Sequence, residues 1–313
     1  MTDLSPASAP RPLHLGAPFK AALVQMRTGK SIAANVEAAS ALIRAAAGEG
    51  ATYIQTPEMT GTMEENRETL FAGLHPEETD TALAAFRALA AELKVHLHIG
   101  SLAIRASEHR AANRSFLIGP DGAIAARYDK IHMFDVDLPN GDVYRESAAY
   151  RPGELAVVAD LPEIRLGFTI CYDLRFPALF RALAEAGAGM IAAPAAFTQI
   201  TGEAHWHVLL RARAIETGCF VLASAQGGTH ENGRKTFGHS LIIDPWGTVL
   251  AEAGAEPGYI IAEIDPAKVA AVRARIPSLQ HGRRFELVTP TETGRLHVVA
   301  AEDAAGDVSG DAA

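Results

Sequence analysis

The stretch Ile164-Arg-Leu-Gly-Phe-Thr-Ile-Cys171-Tyr-Asp-Leu-Arg-Phe-Pro177 decides how this chain is read. The apolar run from Ile164 to Ile170 suits a strand, a short polar turn follows, and Pro177 stands where the first turn of a helix accepts proline. A thiol is thereby set at a strand-to-helix corner, open at the strand's end, after the logic of a nucleophile elbow. Backbone N–H groups at such a corner can receive an oxyanion. A lone cysteine is more often a small buried hydrophobe. The polar neighbours Asp173 and Arg175 weigh against that role for Cys171, whereas Cys219, in the apolar run Gly218-Cys-Phe-Val-Leu222, keeps it.

Outward from this corner, strand and helix patterns alternate. Phe19 to Met26 reads as a first strand, the Ala-rich Ile32 to Ala47 as a helix, and Ala51 to Thr56 as a short strand ending at Pro57-Glu58. Glu77 to Leu93 reads as one amphipathic helix and Val95 to Ile104 as a strand. Gly119-Pro-Asp-Gly122 has hairpin chemistry between two further strands. Residues 132–154 carry no clean period and read as a long functional loop. After Pro177 come a strand at Gly189 to Ala193, a helix at Glu203 to Glu216, four more strands, and a helix from Pro266 to Arg275. This alternation points to a layered α/β domain without internal repeat. The expected organisation is a flexible leader at 1–18, one domain over 19–288, and a tail over 289–313 that is disordered from about Glu302.

The net charge of −9 and the absence of a clustered basic face argue against nucleic acid and against polybasic attachment to membranes. Two cysteines make no disulfide framework and suit a reducing, cytoplasmic setting. No basic start followed by an apolar run marks a signal peptide, and no apolar stretch is long enough to span a bilayer.

A cysteine nucleophile needs a base. His96 and His98 share one strand face, and His205 and His207 point to different sides of a helix start. His205, His207, His230 and His239 fall in one third of the chain, which raises a metal hydrolase as a rival, although no zinc-type ligand spacing is present. A carboxylate base with a lysine partner is the other option. Thr56-Pro-Glu58-Met59 and Tyr128-Asp-Lys130-Ile-His-Met-Phe-Asp135 offer such residues, though in isolation each reads as a solvated surface charge.

Taken in order, these motifs resemble the carbon–nitrogen hydrolase (nitrilase) superfamily, whose members carry a Glu-Lys-Cys triad. Glu58 follows the second strand, Lys130 lies in Tyr-x-Lys-x-His, and Cys171 opens Cys-Tyr-Asp-x-Arg-Phe-Pro. Pro194-Ala-Ala-Phe197, Thr201-Gly-Glu-Ala-His-Trp206, Leu210 to Glu216, Gly238-His-Ser240, Asp244-Pro-Trp-Gly247 and Arg273 to Arg284 extend the likeness over roughly residues 19–288. Asp129 departs from it, since many relatives carry Arg or Lys before the lysine. The resemblance implies a four-layer αββα sandwich of two mixed sheets. It implies Glu58, Lys130, Cys171 and a second glutamate, Glu146, as catalytic residues, the Tyr172 N–H as an oxyanion donor, and no metal or organic cofactor. It is similar in detail to a branch holding the deaminated-glutathione amidases and omega-amidases. That branch implies ammonia release from a small carboxylate-bearing amide through a thioester, with Arg175, Phe197 and Thr201 binding substrate. It also implies a homodimer or higher oligomer, expected on the helix after Cys171 through Phe176, Leu179 and Phe180. An N-carbamoyl amino acid amidohydrolase, a nitrilase, or a catalytically silent interaction protein are the alternatives.

Overall fold

The computed structural model describes residues 11–283 and 285 and the backbone of residues 287–290 and 296–299. Strand β1 (Phe19–Gln25) leads through helix α1 (Ile32–Gly48) to β2 (Tyr53–Gln55), and helix α2 (Thr81–Leu93) leads on to β3 (His96–Arg105), β4 (Ala111–Ile118) and β5 (Ile124–Asp129). Then come β6 (Val158–Asp160), β7 (Arg165–Phe168), α3 (Pro177–Glu185), β8 (Met190–Ala192), α4 (Gln199–Thr217) and β9 (Phe220–Ala223). Strands β10 (Leu241–Ile243), β11 (Val249–Glu252) and β12 (Gly258–Ile264) precede helix α5 (Ala267–Arg275).

Twelve strands form two sheets of six, ordered β12-β1-β2-β3-β4-β5 and β11-β10-β9-β8-β7-β6. The trios β1-β2-β3 and β7-β8-β9 are parallel, and the flanking pairs are antiparallel, so both sheets are mixed. Side chains alternate across a strand, and β1 is buried on both faces. Ala21 and Leu23 enter a core shared with Phe168 and Ile191 of the other sheet, while Ala22 and Val24 pack with Ile43 of α1 and Phe86 of α2. Trp206 and Leu210 of α4 and Phe180 of α3 close the second sheet. This is the expected αββα sandwich.

Several boundaries differ from the sequence reading for local reasons. The helix expected from Glu77 is a single 3-10 turn over Glu77–Thr79. Asp80 then caps α2 by accepting from the Leu83 N–H at 2.7 Å, which starts a new helix rather than continuing the old one. Helix α4 begins at Gln199 rather than at residue 203. The loop 132–154 holds a small hairpin, Asp135–Asp137 against Val143–Arg145, and a 3-10 turn over Glu146–Ala148.

The chain divides into compact units at Met1–Leu279 and Gln280–Ala313. The second contains an antiparallel pair, Leu287–Pro290 with Leu296–Val299. Of the expected leader, Leu15 bridges to Ile164 and the Gly16 N–H donates to the Glu163 carbonyl at 2.7 Å. Residues 1–10, Arg284 and the segment from Glu302 lie outside the described residues.

Candidate active site

Parallel strands bring their carboxyl ends to one edge, and the chemistry-bearing residues collect there. Cys171 follows β7 and opens a 3-10 turn with φ of 49°. A left-handed conformation at a residue with a Cβ is costly, roughly 1–3 kcal/mol, and persists where the surroundings hold it. Here the Cys171 N–H donates to the Pro194 carbonyl at 2.8 Å. Fully buried Asp173 secures the same turn. Its Oδ2 accepts from the Ile170 N–H at 2.9 Å and from the Tyr128 hydroxyl at 2.6 Å, and its Oδ1 accepts from the His132 N–H at 3.0 Å. One carboxylate thus ties the cysteine turn to the end of β5 and so to the other sheet.

Glu58 follows β2 and is 3% exposed; Lys130 follows β5 and is 2% exposed. Lys130 Nζ donates to Glu58 Oε1 at 2.9 Å and to Glu146 Oε2 at 2.8 Å. The second Glu58 oxygen accepts from the Ala196 N–H at 2.8 Å, and Glu146 Oε2 also accepts from the Phe134 N–H at 2.7 Å. Asn113 of β4, which the sequence reading passed over, donates its Nδ2 to both glutamates, at 2.9 Å to Glu58 and 3.1 Å to Glu146. Its Oδ1 is buried without a partner. Nothing in the local sequence separates Asn113 from any polar strand residue; only the tertiary pairing reveals it.

The electrostatics follow from burial and neighbours. Burial pushes the Glu58 carboxyl up, but the adjacent Lys130 ammonium, with smaller help from the Cys171 thiol and Arg234, holds the carboxyl below its ordinary value. Burial opposes the charge on Lys130, and Glu146 and Glu58 together raise its pKa well above the usual. Burial and then the Glu58 charge raise the Cys171 thiol. The resting pair is therefore a neutral thiol against a carboxylate, with the lysine charged. Among the described residues no hydrogen-bond acceptor takes the Tyr172 N–H.

Cys171, Glu58, Lys130 and Glu146 line one cavity of about 920 Å³, whose walls include Tyr172, Phe197 and Thr201. Arg175 does not line it. Its guanidinium rests 3.3 Å from His205 Nδ1 and lies over the Phe197 and Tyr172 rings, at 5.1 and 5.9 Å, so it backs the wall. Asp129, the unusual neighbour of Lys130, points to the opposite face of its strand. Arg114 takes both its oxygens, at 2.6 and 2.9 Å, and leaves the charge at the lysine undisturbed. The four clustered histidines do not form one group, although His207 and His239 come together with Glu252. His230 is buried against the Thr28 carbonyl and Thr236, His207 and His239 share Glu252 at 2.9 Å each, and none of the four lines the cavity. Cys219 is core, its thiol donating to the Ala188 carbonyl. Of the residues expected to pair subunits, Leu179 and Phe180 are buried within the chain and Phe176 stacks on His132. The apolar residues α4 leaves exposed are Ile200, Val208 and Ile215.

An αββα sandwich that gathers a buried carboxylate, ammonium and thiol at its strand ends is the architecture of a hydrolase for carbon–nitrogen bonds. The chain belongs to the carbon–nitrogen hydrolase family, whose pattern matches residues 20–274, and is an amidase-type enzyme acting on C–N bonds other than peptide bonds. It is 40% identical over 278 residues to a deaminated glutathione amidase of Synechocystis, covering 84% of this chain and 98% of the relative. Among solved structures it is similar to the Caenorhabditis elegans NitFhit protein, with a TM-score of 0.80 and 33% identity over 86% of this chain and 66% of that one. An amidase from Nesterenkonia, in a form with an acetamide moiety added covalently at its active-site cysteine, matches with a TM-score of 0.71 and 26% identity over 88% of this chain and 96% of that one. Among the described residues no helix is long and apolar enough to cross a membrane.

Proposed function

We propose that this enzyme hydrolyses a small carboxylate-bearing amide of the deaminated-glutathione or omega-amide type through a thioester on Cys171. The observation that carries the reading is the buried thiol set against the Glu58 carboxylate, with the Lys130 ammonium hydrogen-bonded to that same carboxylate, on one cavity wall. Glu58 takes the thiol proton as sulfur attacks the amide carbonyl. Lys130 Nζ and the Tyr172 N–H receive the oxyanion. Glu58 returns the proton to the nitrogen as the C–N bond breaks, leaving the acyl group on sulfur. Glu58 then takes a proton from water, whose oxygen attacks the thioester, and returns it to the Cys171 sulfur as the C–S bond breaks and the acid leaves. Glu146 orients Lys130, and Phe197 and Thr201 shape the acyl pocket.

The nitrogen leaves as ammonia from a primary amide and as an amine from a substituted one. A cavity of about 920 Å³ has room for a substrate that extends on both sides of the scissile bond, which supports the substituted, deaminated-glutathione type. The exposed Val208 and Ile215 of α4 support a homo-oligomer built on that helix. The chain's two free cysteines, both buried, support action in a reducing cytoplasm.

The test is a panel of omega-amides, a deaminated tripeptide amide, N-carbamoyl amino acids and nitriles, with acid, ammonia and amine release followed separately. Cys171→Ala is expected to abolish turnover with little change in melting temperature, and intact-mass analysis of the wild type under turnover is expected to show an acyl adduct. Full amidase activity in Cys171→Ala, or preferred turnover of nitriles, would reject the reading.

A further inference from the structure

His207, His239 and Glu252 stand outside the catalytic cavity, and the amide chemistry makes no use of them. His207 lies on α4, His239 in the turn before β10, and Glu252 ends β11. His207 Nε2 and His239 Nδ1 both reach the same carboxylate oxygen, Glu252 Oε1, at 2.9 Å each. Ligand atoms of all three lie within 4.8 Å of one another, and among the described residues no other trio of histidine, cysteine or carboxylate side chains converges in this way.

The group is held in place by the fold around it. The His239 N–H donates to the Gly254 carbonyl at 2.9 Å, and the His239 carbonyl accepts from Trp206 Nε1 at 2.7 Å. These bonds fix His239 at a φ of 52°, a conformation costly for a residue with a Cβ. Phe237 stacks on the His239 ring at 4.4 Å and meets the His207 ring edge-on at 5.9 Å. The three side chains are 31 to 39% exposed, so the group has apolar support from Phe237 and also access to water.

Two imidazole nitrogens and one carboxylate oxygen, with a solvent side for a fourth ligand, make a donor set that suits zinc, whereas magnesium and calcium prefer oxygen throughout. Tetrahedral zinc with bonds of about 2.0–2.2 Å sets its ligand atoms about 3.3–3.6 Å apart. The two pairs at 2.9 Å therefore need to open by less than about 1 Å, a movement within reach of half-exposed side chains. Each neutral imidazole turns a lone pair to the metal by carrying its proton on the other nitrogen, Nδ1 of His207 and Nε2 of His239. We infer that His207, His239 and Glu252 form a zinc site that clamps α4 to the second sheet. It shares no ligand with the catalytic cavity and lies behind its wall, where Trp206 packs on Phe197 at 5.1 Å.

The experiment titrates zinc into the full chain after dialysis against a chelator, with binding followed by calorimetry and melting temperature read at each concentration. The proteins are the wild type, Cys171→Ala, His207→Ala and Glu252→Gln; Cys171→Ala is included because a thiol beside a carboxylate is itself a zinc ligand set. A single tight zinc per chain is expected in the wild type and in Cys171→Ala, undisturbed by millimolar magnesium. At about a hundredfold excess over its Kd, zinc should raise the melting temperature by roughly 4–8 °C. Losing a direct ligand should cost at least what losing an outer partner does, so His207→Ala and Glu252→Gln should each weaken binding by about 10- to 100-fold or more. Glu252→Gln keeps the shape and removes only the charge, so it carries the test if His207→Ala folds poorly, and circular dichroism of the chelated proteins checks folding. Zinc affinity and melting shift that stay at wild-type values in both His207→Ala and Glu252→Gln overturn the site. So does tight binding that disappears in Cys171→Ala, which would place the metal at the thiol, and so does a wild type that binds no zinc tightly.

Discussion

Lys130 Nζ and Glu58 Oε1 lie 2.9 Å apart with both side chains almost fully enclosed, and Lys130 is shared with a second carboxylate, Glu146. Two buried carboxylates around one ammonium leave an excess negative charge beside the thiol. That excess suits a base that must take a proton and return it. Lys130 is the largest of the causes that hold the Glu58 carboxyl low against burial, ahead of the Cys171 thiol and Arg234, so its removal should expose the effect of burial.

The pH dependence follows with a defined sign. A lowered Glu58 pKa keeps the base ionised throughout neutral pH, and protonation on the acid side removes it. The wild-type kcat/KM should be flat from about pH 6 to 8, with its acid limb below the ordinary carboxylate range. Lys130→Met should cut kcat by about 100-fold or more through lost oxyanion stabilisation. It should also move the acid limb of the residual activity upward, because burial then dominates. Stopped-flow or endpoint amide assays across buffered pH check both. An acid limb that stays in place would mean that Lys130 does not tune Glu58.

Asn113 holds the two glutamates from the side opposite the solvent. Its Nδ2 is their shared donor, so Asn113→Ala removes one hydrogen bond from each and leaves the two like charges less well screened. A fall in kcat of roughly 10- to 100-fold is expected with KM changed far less, together with a stability loss of about 1–3 kcal/mol. Asn113→Asp adds a third carboxylate and should be worse on both counts. Steady-state kinetics with chemical denaturation separates these from a simple loss of folding.

How much of this was visible in the sequence differs from residue to residue. The Cys171 corner could be read from its own neighbours, since an apolar run, a polar turn and a proline occur within a few residues. The strand and helix pattern of both halves was visible for the same reason, because periodicity is local. Glu58 and Lys130 were not visible that way. Each reads as a surface charge, and its burial exists only once the ends of β2, β5 and β7 meet. The family likeness supplied what local physics could not. Asn113 carries no motif of its own, and Asp173 sits in the cysteine motif without its role being legible there; their roles are defined by partners 33 to 55 residues away. Arg175 lies in the cysteine motif itself, and only the structure shows that its guanidinium rests 3.3 Å from His205 Nδ1 and over the Phe197 and Tyr172 rings.

His98 gives the protein an acid-labile point away from the catalytic residues. It is fully buried on β3, with Nδ1 2.7 Å from the Tyr53 hydroxyl and Nε2 2.6 Å from Ser115 Oγ. The Ser115 hydroxyl also reaches the Ile99 carbonyl and the Tyr53 hydroxyl also reaches Gln55 Oε1 at 3.0 Å, so one of the two hydroxyls turns its hydrogen to the neutral ring and the other accepts from it. Burial lowers its pKa to about 3. The folded state therefore binds this proton less readily than the unfolded chain, so stability is full above about pH 6.5 and is lost as pH falls toward 3. The contribution is at most about 5 kcal/mol. His98→Gln should be less stable at neutral pH and should lose less stability between pH 6 and 4, as read by urea denaturation at each pH. Parallel slopes for the two proteins would exclude His98 as the source.

The last prediction concerns a residue with no side chain. Gly100 lies where β3 bulges between Ile99 and Leu102. A Cβ there would sit 2.2 Å from the Thr56 carbonyl oxygen, 2.5 Å from that of Pro57 and 2.6 Å from Pro194 Cβ. Two of these contacts are backbone of the segment that carries Glu58, and the third belongs to the segment whose carbonyl anchors Cys171 and whose Ala196 N–H binds Glu58. Neither can yield like the end of a flexible side chain. Gly100→Ala should therefore do two things at once. Overpacking should cost about 1–3 kcal/mol and lower the melting temperature by roughly 2–10 °C. A shift of about 1 Å between Glu58 and Cys171 should lower kcat by about 100-fold. Gly73→Ala, where no atom lies within 4 Å of the added methyl, is the control and should change neither. Calorimetry and amide turnover on the two variants decide it: a Gly100→Ala protein with wild-type kcat would show that the base and nucleophile do not depend on this close approach.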